Sequence, residues 1–268
     1  MNWILLVAGI IILATVALDI AYTTVSANRS GPITHKIATS LWRCFTLIAR
    51  FSRRGIGLRF AGPFVMSGLA LCWIAMTSIG WLLIFRSDPD GLVMKSGEPA
   101  NWLQSYAFIG SALSTVGSSN VQAATAIWDN LAMLAAVNGM IVLTLSVTFV
   151  LNVTQTVAAG RSFSALIGVR DPADAANDDL LMPALANICT KLNATPLALY
   201  YTPLHHERSV PLSLKWLAER VSGDTPRARN YRQLLRELPY LDIDAEADPD
   251  QFLTVMDEWA SRYTIDSR

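Results

Sequence analysis

The sequence predicts an all-α membrane protein with three transmembrane helices, a re-entrant helix and loop, and a small, mainly helical domain at its C-terminal end. Hydrophobic residues make up 52% of the 268 residues and charged residues 16%, whereas soluble domains carry about 25% charged residues. The apolar residues are concentrated before about residue 160. Three stretches there reach the roughly 20 apolar residues that a helix needs to cross a bilayer.

The predicted transmembrane helices lie at 3–24, 60–85 and 128–156. The first contains one charge, Asp19, the second is uncharged between Arg59 and Arg86, and the third is uncharged from Asn130 to Thr156. A cleaved signal peptide is the alternative for 1–27. It is disfavoured because a positive n-region is missing and the apolar stretch exceeds the usual length of about 7–15 residues.

Basic residues predict the orientation of these helices. The loop between the first two helices contains no acidic residue and seven basic ones: Arg29, Lys36, Arg43, Arg50, Arg53, Arg54 and Arg59. The loop after the second helix is acidic, with Asp88, Asp90 and Glu98. Because basic loops stay in the cytoplasm, the N-terminus is predicted outside and the C-terminus in the cytoplasm of a multi-pass inner (plasma) membrane protein.

The basic segment 28–59 is predicted to be an amphipathic helix on the inner membrane surface. Its apolar residues recur at helical spacing: Ile33, Ile37, Leu41, Cys44, Phe45, Ile48 and Phe51. It is interpreted as a structural collar, with anionic lipid at Arg43, Arg50, Arg53 and Arg54 as the sharper alternative. For Asp19 we expect a structural pairing, for example with an arginine of this segment, and an ion-path role is the alternative.

Residues 99–125 carry the strongest chemical signal of the sequence. An apolar helix over 101–113 is too short to cross a bilayer, and the small polar run 114–120 follows it directly. Irregular backbone at membrane depth is tolerated only inside protein or beside water. Thr115 offers a hydroxyl and a carbonyl, and Gly117 allows unusual backbone angles. These groups are suited to coordinating a dehydrated cation.

A spanning helix, a short helix, the residues Thr115-Val116-Gly117 and a second spanning helix follow one another along the chain. This order resembles the pore domain of the potassium-channel superfamily in its two-helix bacterial form. The resemblance covers about residues 60–157 and implies a homotetramer around one pore, with Gly139 as a hinge of the inner helix. It implies K⁺ or Na⁺ as permeant ions, contacting Thr115, Val116 and Gly117, within a filter of Thr115, Val116, Gly117, Ser118, Ser119 and Asn120. The family continues Tyr-Gly-Asp where this chain has Ser118-Ser119-Asn120, so we expect weak or altered K⁺/Na⁺ selectivity.

The third transmembrane helix carries a polar stripe. Four residues share one helical face: Thr144, Thr148, Asn152 and Gln155. The stripe either lines a water-filled cavity or holds helices together. Asn138 lies off the stripe and is predicted to bond to the pore helix or to a neighbouring subunit.

The chain therefore divides into five predicted regions. These are an N-terminal transmembrane helix (1–27), the basic interfacial helix (28–59), the pore domain (60–157), a linker (158–179) and a cytoplasmic helical domain (180–268). The pore domain comprises an outer helix (60–86), a pore helix (101–113), the filter (114–120) and an inner helix (128–157).

The last region contains apolar periodicity at about 180–192, 211–221, 225–238 and 248–263, and a short strand near 196–201 is left open. This region is expected either to assemble the tetramer or to regulate a gate, and its regulator is unknown. No phosphate-binding or nucleophile motif is present, and the only histidine pair, His205-His206, lacks metal-ligand spacing. We therefore expect no enzyme activity, no cofactor and no nucleic-acid partner.

Two functions follow from the sequence. The leading one is a tetrameric pore-loop cation channel with an altered filter. The alternative is a non-conducting, membrane-anchored interaction or signalling protein built on the same pore fold, because the filter lacks Tyr-Gly at Ser118-Ser119.

Overall fold

The computed structural model describes residues 1–24, most of 31–41, and 61–117, 120–201, 209–244 and 248–263. Its main helices are α1 (Trp3–Thr24), α2 (Ala61–Phe85), α3 (Trp102–Leu113), α4 (Ala126–Val169), α5 (Asp178–Ala194), α6 (Val210–Arg220), α7 (Pro226–Leu235) and α8 (Pro249–Tyr263). Two short strands are β1 (Leu92–Met94) and β2 (Val121–Ala123). Contacts divide the chain into a first unit (1–25, 31–34 and 67–149) and a second unit (26–30, 35–66 and 150–268).

Three helices in the described part of the chain are long and apolar enough to cross a membrane: α1, α2 and α4. They lie where the sequence predicts them. The prediction of a linker over 158–179 is wrong for its first part, because α4 has 44 residues and continues to Val169. The continuation buries Val153, Val157, Phe163 and Ile167, which share one helical face. At 1.5 Å per residue, α4 is about 66 Å long, roughly twice the hydrocarbon thickness of a bilayer.

In the first unit, α1 packs against α2 through two glycines. A Cβ atom on Gly9 would lie 2.6 Å from the carbonyl oxygen of Gly80, so the backbones approach more closely than larger residues allow. The amide of Asn2 donates to the carbonyl of Ser87 at the end of α2. Other apolar side chains of α1 are exposed, including Ile4 and Ile11, as expected for a face that contacts lipid.

The pair β1 and β2 is not predicted from the sequence. The strands are antiparallel, with Leu92 opposite Ala123 and Met94 opposite Val121. The amide of Lys95 extends the pairing by donating to the carbonyl of Asn120, at 3.0 Å. This ladder joins the segment before α3 to the segment after the candidate filter. Three-residue strands carry too little alternation to be recognised from sequence.

An aromatic core lies beside the ladder, in the first unit. The ring of Phe85 is 5.5 Å from that of Trp128 and 5.7 Å from that of Phe108. Leu92 and Ile109 are buried in the same cluster. Because this core holds the start of α4 and one face of α3, it positions α3 relative to α4.

The second unit contains α5 to α8, which lie close to the predicted segments. Pro211 and Pro226 are in the first turns of α6 and α7, after the capping side chains of Ser209 and Thr225. Residues 196–200 form a 3₁₀ helix, so the strand left open there is absent. A strand is disfavoured because Thr195 and Pro196 continue directly from the end of α5.

An ion pair joins two helices of the second unit. Asp178, the first residue of α5, accepts bonds of 2.7 Å from both Nε and Nη2 of Arg227 and one of 2.9 Å from the Tyr231 hydroxyl. The Arg227 hydrogen bond lowers the pKa of Asp178. Burial, and next the bond to Asp178, raises the pKa of Tyr231 to about 12.

Candidate pore element

The helix α3 begins at a capping box. The side chain of Asn101 accepts from the Gln104 amide at 2.9 Å, and the Gln104 side chain accepts from the Asn101 amide at 2.8 Å. This exchange satisfies two amides at a helix start. Ser105 and Ile109 are buried, whereas Leu103, Tyr106, Ala107 and Gly110 are exposed on the other face. The 12 residues of α3 span about 18 Å, which confirms a helix too short to cross a bilayer.

The backbone turns back on itself at Thr115–Gly117. The amides of Val116 and Gly117 both donate to the carbonyl of Ser111, at 3.0 and 3.3 Å. Thr115 has φ 57° and Gly117 has φ 72°, both in the left-handed region that a non-glycine residue occupies at a cost. Thr115, Val116 and Gly117 are exposed. Within the described part of the chain, their three carbonyl oxygens accept no hydrogen bond.

The structure describes the candidate filter on both sides of Ser118 and Ser119. Ser118 and Ser119 lie outside the described residues. Asn120 is exposed, and its carbonyl is held by Lys95 as the first bond of the β ladder. The returning chain is therefore anchored directly after the loop, a contact that the sequence did not indicate.

Gly139 is the contact point between α3 and α4. A Cβ atom there would lie 2.7 Å from the Leu113 Cα and 2.9 Å from its carbonyl carbon, and it would also collide with the carbonyl oxygen. Gly139 follows Trp128 by eleven residues, which corresponds to about 16 Å along α4. The end of α3 thus lies about half a hydrocarbon thickness from the Trp128 level. The helix α4 is continuous through Gly139, and the hinge role stays a prediction.

Asn138 bonds to a different helix from the one predicted. Its side-chain oxygen accepts from Nε1 of Trp81, on α2, at 3.0 Å. The prediction of a bond to the pore helix is therefore wrong within the described chain. Position 138 faces α2 because the neighbouring Gly139 already occupies the face against α3.

The polar stripe on α4 is exposed along its whole length: Thr144, Thr148, Asn152 and Gln155. The Thr144 hydroxyl donates to the Met140 carbonyl at 2.8 Å, and the Thr148 hydroxyl donates to the Thr144 carbonyl at 2.9 Å. These hydroxyls are satisfied on their own helix, so either cavity lining or helix contact remains compatible with the stripe.

Asp19 is buried, with an exposed fraction of 1%, and its carboxylate accepts four hydrogen bonds from the described residues. Its Oδ1 accepts from the amides of Ile33 (2.9 Å) and Thr34 (3.2 Å). Its Oδ2 accepts from the Thr34 hydroxyl (2.6 Å) and from Nε1 of Trp73 (2.9 Å). The expected structural pairing is present, although the partners are amides, a hydroxyl and an indole. The predicted lipid-contacting residues Arg43, Arg50, Arg53 and Arg54 lie outside the described residues.

Comparisons with known proteins support the membrane assignment and no finer one. No family model matches the chain, and no solved structure is similar to it. The chain is similar to an uncharacterized membrane protein of Bacillus subtilis strain 168, YdjJ, with 27% identity over 240 residues, covering 83% of this chain and 70% of the relative. The chain is mostly helical, contains three membrane-capable helices and is similar to a membrane protein. It is therefore a membrane protein.

Proposed function

We propose that the chain forms a homotetrameric pore-loop cation channel, with the loop Thr115–Asn120 as its filter. The observation that supports it is the contact of Leu113 with Gly139, because this contact puts the end of α3 about 16 Å below Trp128 along α4. When a helix between two spanning helices ends near the bilayer midplane, the chain that follows the helix must return through the membrane. A pore loop has this path.

The electrostatics of the loop favour a cation. The last carbonyls of α3 carry the partial negative charge of a helix C-terminus. Beyond them, Thr115, Val116 and Gly117 present carbonyl oxygens that accept no bond from the described residues. Backbone carbonyls at membrane depth replace part of the hydration shell of a permeating ion. Potassium or sodium is therefore the proposed permeant ion.

Self-association follows from the exposure of the same loop. Backbone that is not helical is not tolerated against lipid, yet residues 115–117 are exposed in a single chain. Further copies of the chain, arranged around an axis beside the loop, would cover it and leave an aqueous path. Four copies is the number that the resemblance to potassium channels implies.

The composition of the filter supports weak or altered selectivity between K⁺ and Na⁺. Ser118 has no aromatic ring with which to brace the outer filter. Ser119 replaces a glycine, and a side chain costs about 1–3 kcal/mol in backbone conformations that glycine favours. We propose the same orientation as the basic residues predict, with the N-terminus outside and the second unit in the cytoplasm of the plasma membrane.

Flux from liposomes containing the purified protein tests the proposal, with K⁺, Na⁺ and Cl⁻ gradients compared. Gly117→Asp should abolish cation flux, because it adds a charged side chain to the filter at a residue with φ 72°. The matched control is Gly97→Asp, at another glycine with positive φ (90°), around which a Cβ atom meets nothing within 4 Å. The control should keep flux within about twofold of the wild type.

Two results would contradict the channel. Cation flux that survives Gly117→Asp would place the ion path elsewhere. An absence of flux in every gradient, with tetramers intact, would favour the alternative of a non-conducting interaction or signalling protein on the same fold.

A further inference from the structure

A groove of about 240 Å³ lies in the second unit, between α5 and the end of α7. Its α5 wall consists of residues that share one helical face: Ala186, Cys189, Thr190, Asn193 and Ala194. The other wall is formed by Leu234 and Glu237. The volume equals that of about eight water molecules at roughly 30 Å³ each, so the groove is large enough for a small organic molecule.

The groove exists because α5 carries large and small side chains on different faces. The core of the unit receives the large ones: Leu181, Leu185, Ile188 and Leu192. The groove face carries two alanines and a cysteine, which do not reach across to Leu234. The core is therefore filled while the groove beside it stays open.

The polar groups of the groove are mainly hydrogen-bond acceptors. Within the part of the chain that the structure describes, the side chains of Asn193 and Glu237 make no hydrogen bond and no ion pair. The Thr190 hydroxyl donates its proton to the Ala186 carbonyl at 2.8 Å, so its oxygen can accept from a ligand. A carboxylate, a carboxamide oxygen and a hydroxyl oxygen thus remain for a ligand that donates.

The charge of the groove is negative. Glu237 is the one charged residue among the described residues that line it. Burial, and next the charge of Glu237, raises the pKa of the Cys189 thiol to about 12, so the thiol stays neutral at pH 7. The neighbouring Arg236 does not neutralise Glu237, since its Nη2 donates to the carbonyl of Asp244 at 3.2 Å.

We propose that this groove binds a small organic cation, an ammonium or guanidinium group attached to a short apolar body. The cationic group donates to the Glu237 carboxylate and to the oxygens of Asn193 and Thr190, and charge-assisted bonds of this kind are strong. The apolar body packs on Ala194 and Leu234. An inorganic metal ion is disfavoured, because the described residues contain no group of three side chains that could hold a metal.

The test is a titration of the purified full chain in detergent, at pH 7 and constant ionic strength, with ¹³C-labelled alanine methyl groups observed by NMR. Three probes share one ring and differ in charge: cyclohexylammonium, cyclohexanol and cyclohexanecarboxylate. We expect cyclohexylammonium to shift the methyl signals of Ala186 and Ala194 saturably. Cyclohexanol should bind at least tenfold more weakly, and cyclohexanecarboxylate should cause no shift.

Two variants separate the charge of the groove from its space. Glu237→Gln should weaken cyclohexylammonium binding at least tenfold, because it removes the charge and keeps the shape. Ala194→Leu should abolish binding by filling the groove, with the Ala186 methyl as the reporter. The matched control is Glu258→Gln, at an exposed glutamate of α8, and it should keep the affinity within twofold of the wild type.

Several results would overturn the proposal. These are an absence of saturable shifts with cyclohexylammonium, equal affinity for cyclohexanol, and wild-type affinity in Glu237→Gln. The comparison of the three probes uses the wild type alone, so it decides the matter even when a variant does not fold. Ion flux enters none of these measurements, and the proposal therefore stands or fails separately from the proposed channel.

Discussion

Replacing Gly139 with alanine distinguishes a packing contact from a hinge at this position of α4. In an unstrained helix interior, glycine to alanine stabilises by about 1 kcal/mol. If Gly139 serves only as a flexible hinge, its replacement should raise the stability of the protein by about that amount. If it is a contact with α3, the added methyl group collides with the backbone of Leu113, and the sign of the effect reverses.

The size of the effect follows from the distances. The Cβ atom would lie 2.7 Å from the Leu113 Cα, and the atoms it meets belong to backbone that cannot rotate away. Overpacking of this kind costs about 1–3 kcal/mol, which exceeds the propensity gain of about 1 kcal/mol. We expect Gly139→Ala to destabilise the folded protein by about 1 kcal/mol and to displace the loop that follows Leu113, reducing flux.

The assay is thermal unfolding of the purified protein in detergent, beside Gly168→Ala. Gly168 lies on the same helix, and a Cβ atom there meets nothing within 4 Å, so this control should raise the melting temperature or leave it unchanged. A melting temperature for Gly139→Ala at or above that of the control would refute the contact.

Three further perturbations test other parts of the structure. Asp19→Asn should cost about 1–3 kcal/mol, because an amide cannot accept both donors at Oδ2 and leaves the Trp73 indole unpaired. Thermal unfolding checks this, and an additive double variant with Trp73→Phe would contradict it. Gly110→Leu should abolish the tetramer in native mass spectrometry without lowering the melting temperature, since its face is open in one chain; an intact tetramer would argue against association through α3. Because the pKa of Asp178 is lowered, its stabilising effect is present above the unfolded-state pKa of about 3.9 and is lost as the pH falls through the folded-state pKa. Urea unfolding from about pH 2 to pH 6 should show this loss in the wild type and a weaker loss in Asp178→Asn; equal pH profiles would contradict it.

The elements that the sequence predicted well are those governed by local composition. The spans α1, α2 and α4 follow from apolar length, and α3 follows from a short apolar run between polar ends. The helices α6 and α7 follow from the apolar periodicity at 211–221 and 225–238. Each of these depends on residues that are neighbours along the chain.

The features that the sequence did not reveal depend on distant contacts. The pairing of Leu92–Met94 with Val121–Ala123 joins segments separated by α3, and neither strand is long enough to be recognised. The burial of the end of α4 depends on α5 and α6. The partners of Asp19 come from residues 33, 34 and 73, and no local pattern links them.

The candidate filter likewise combines features set by local composition with features set by distant contacts. Its position between a short helix and a spanning helix could be predicted, because length and polarity are local properties. The contacts that hold the filter could not be predicted. Gly139 lies against the backbone of Leu113, and the carbonyl of Asn120 accepts a hydrogen bond from the amide of Lys95. The closeness of the Tyr201 ring to the backbone of Gly62 could not be predicted either, because the two residues are far apart in the chain.

The most direct test of the pore is a structure of the purified protein soaked in Tl⁺, with anomalous density measured along the symmetry axis of the assembly. We expect a fourfold axis with Tl⁺ density beside the carbonyl oxygens of Thr115, Val116 and Gly117. Copies that meet elsewhere, or a fourfold axis with no density beside these three residues, would contradict the proposed pore.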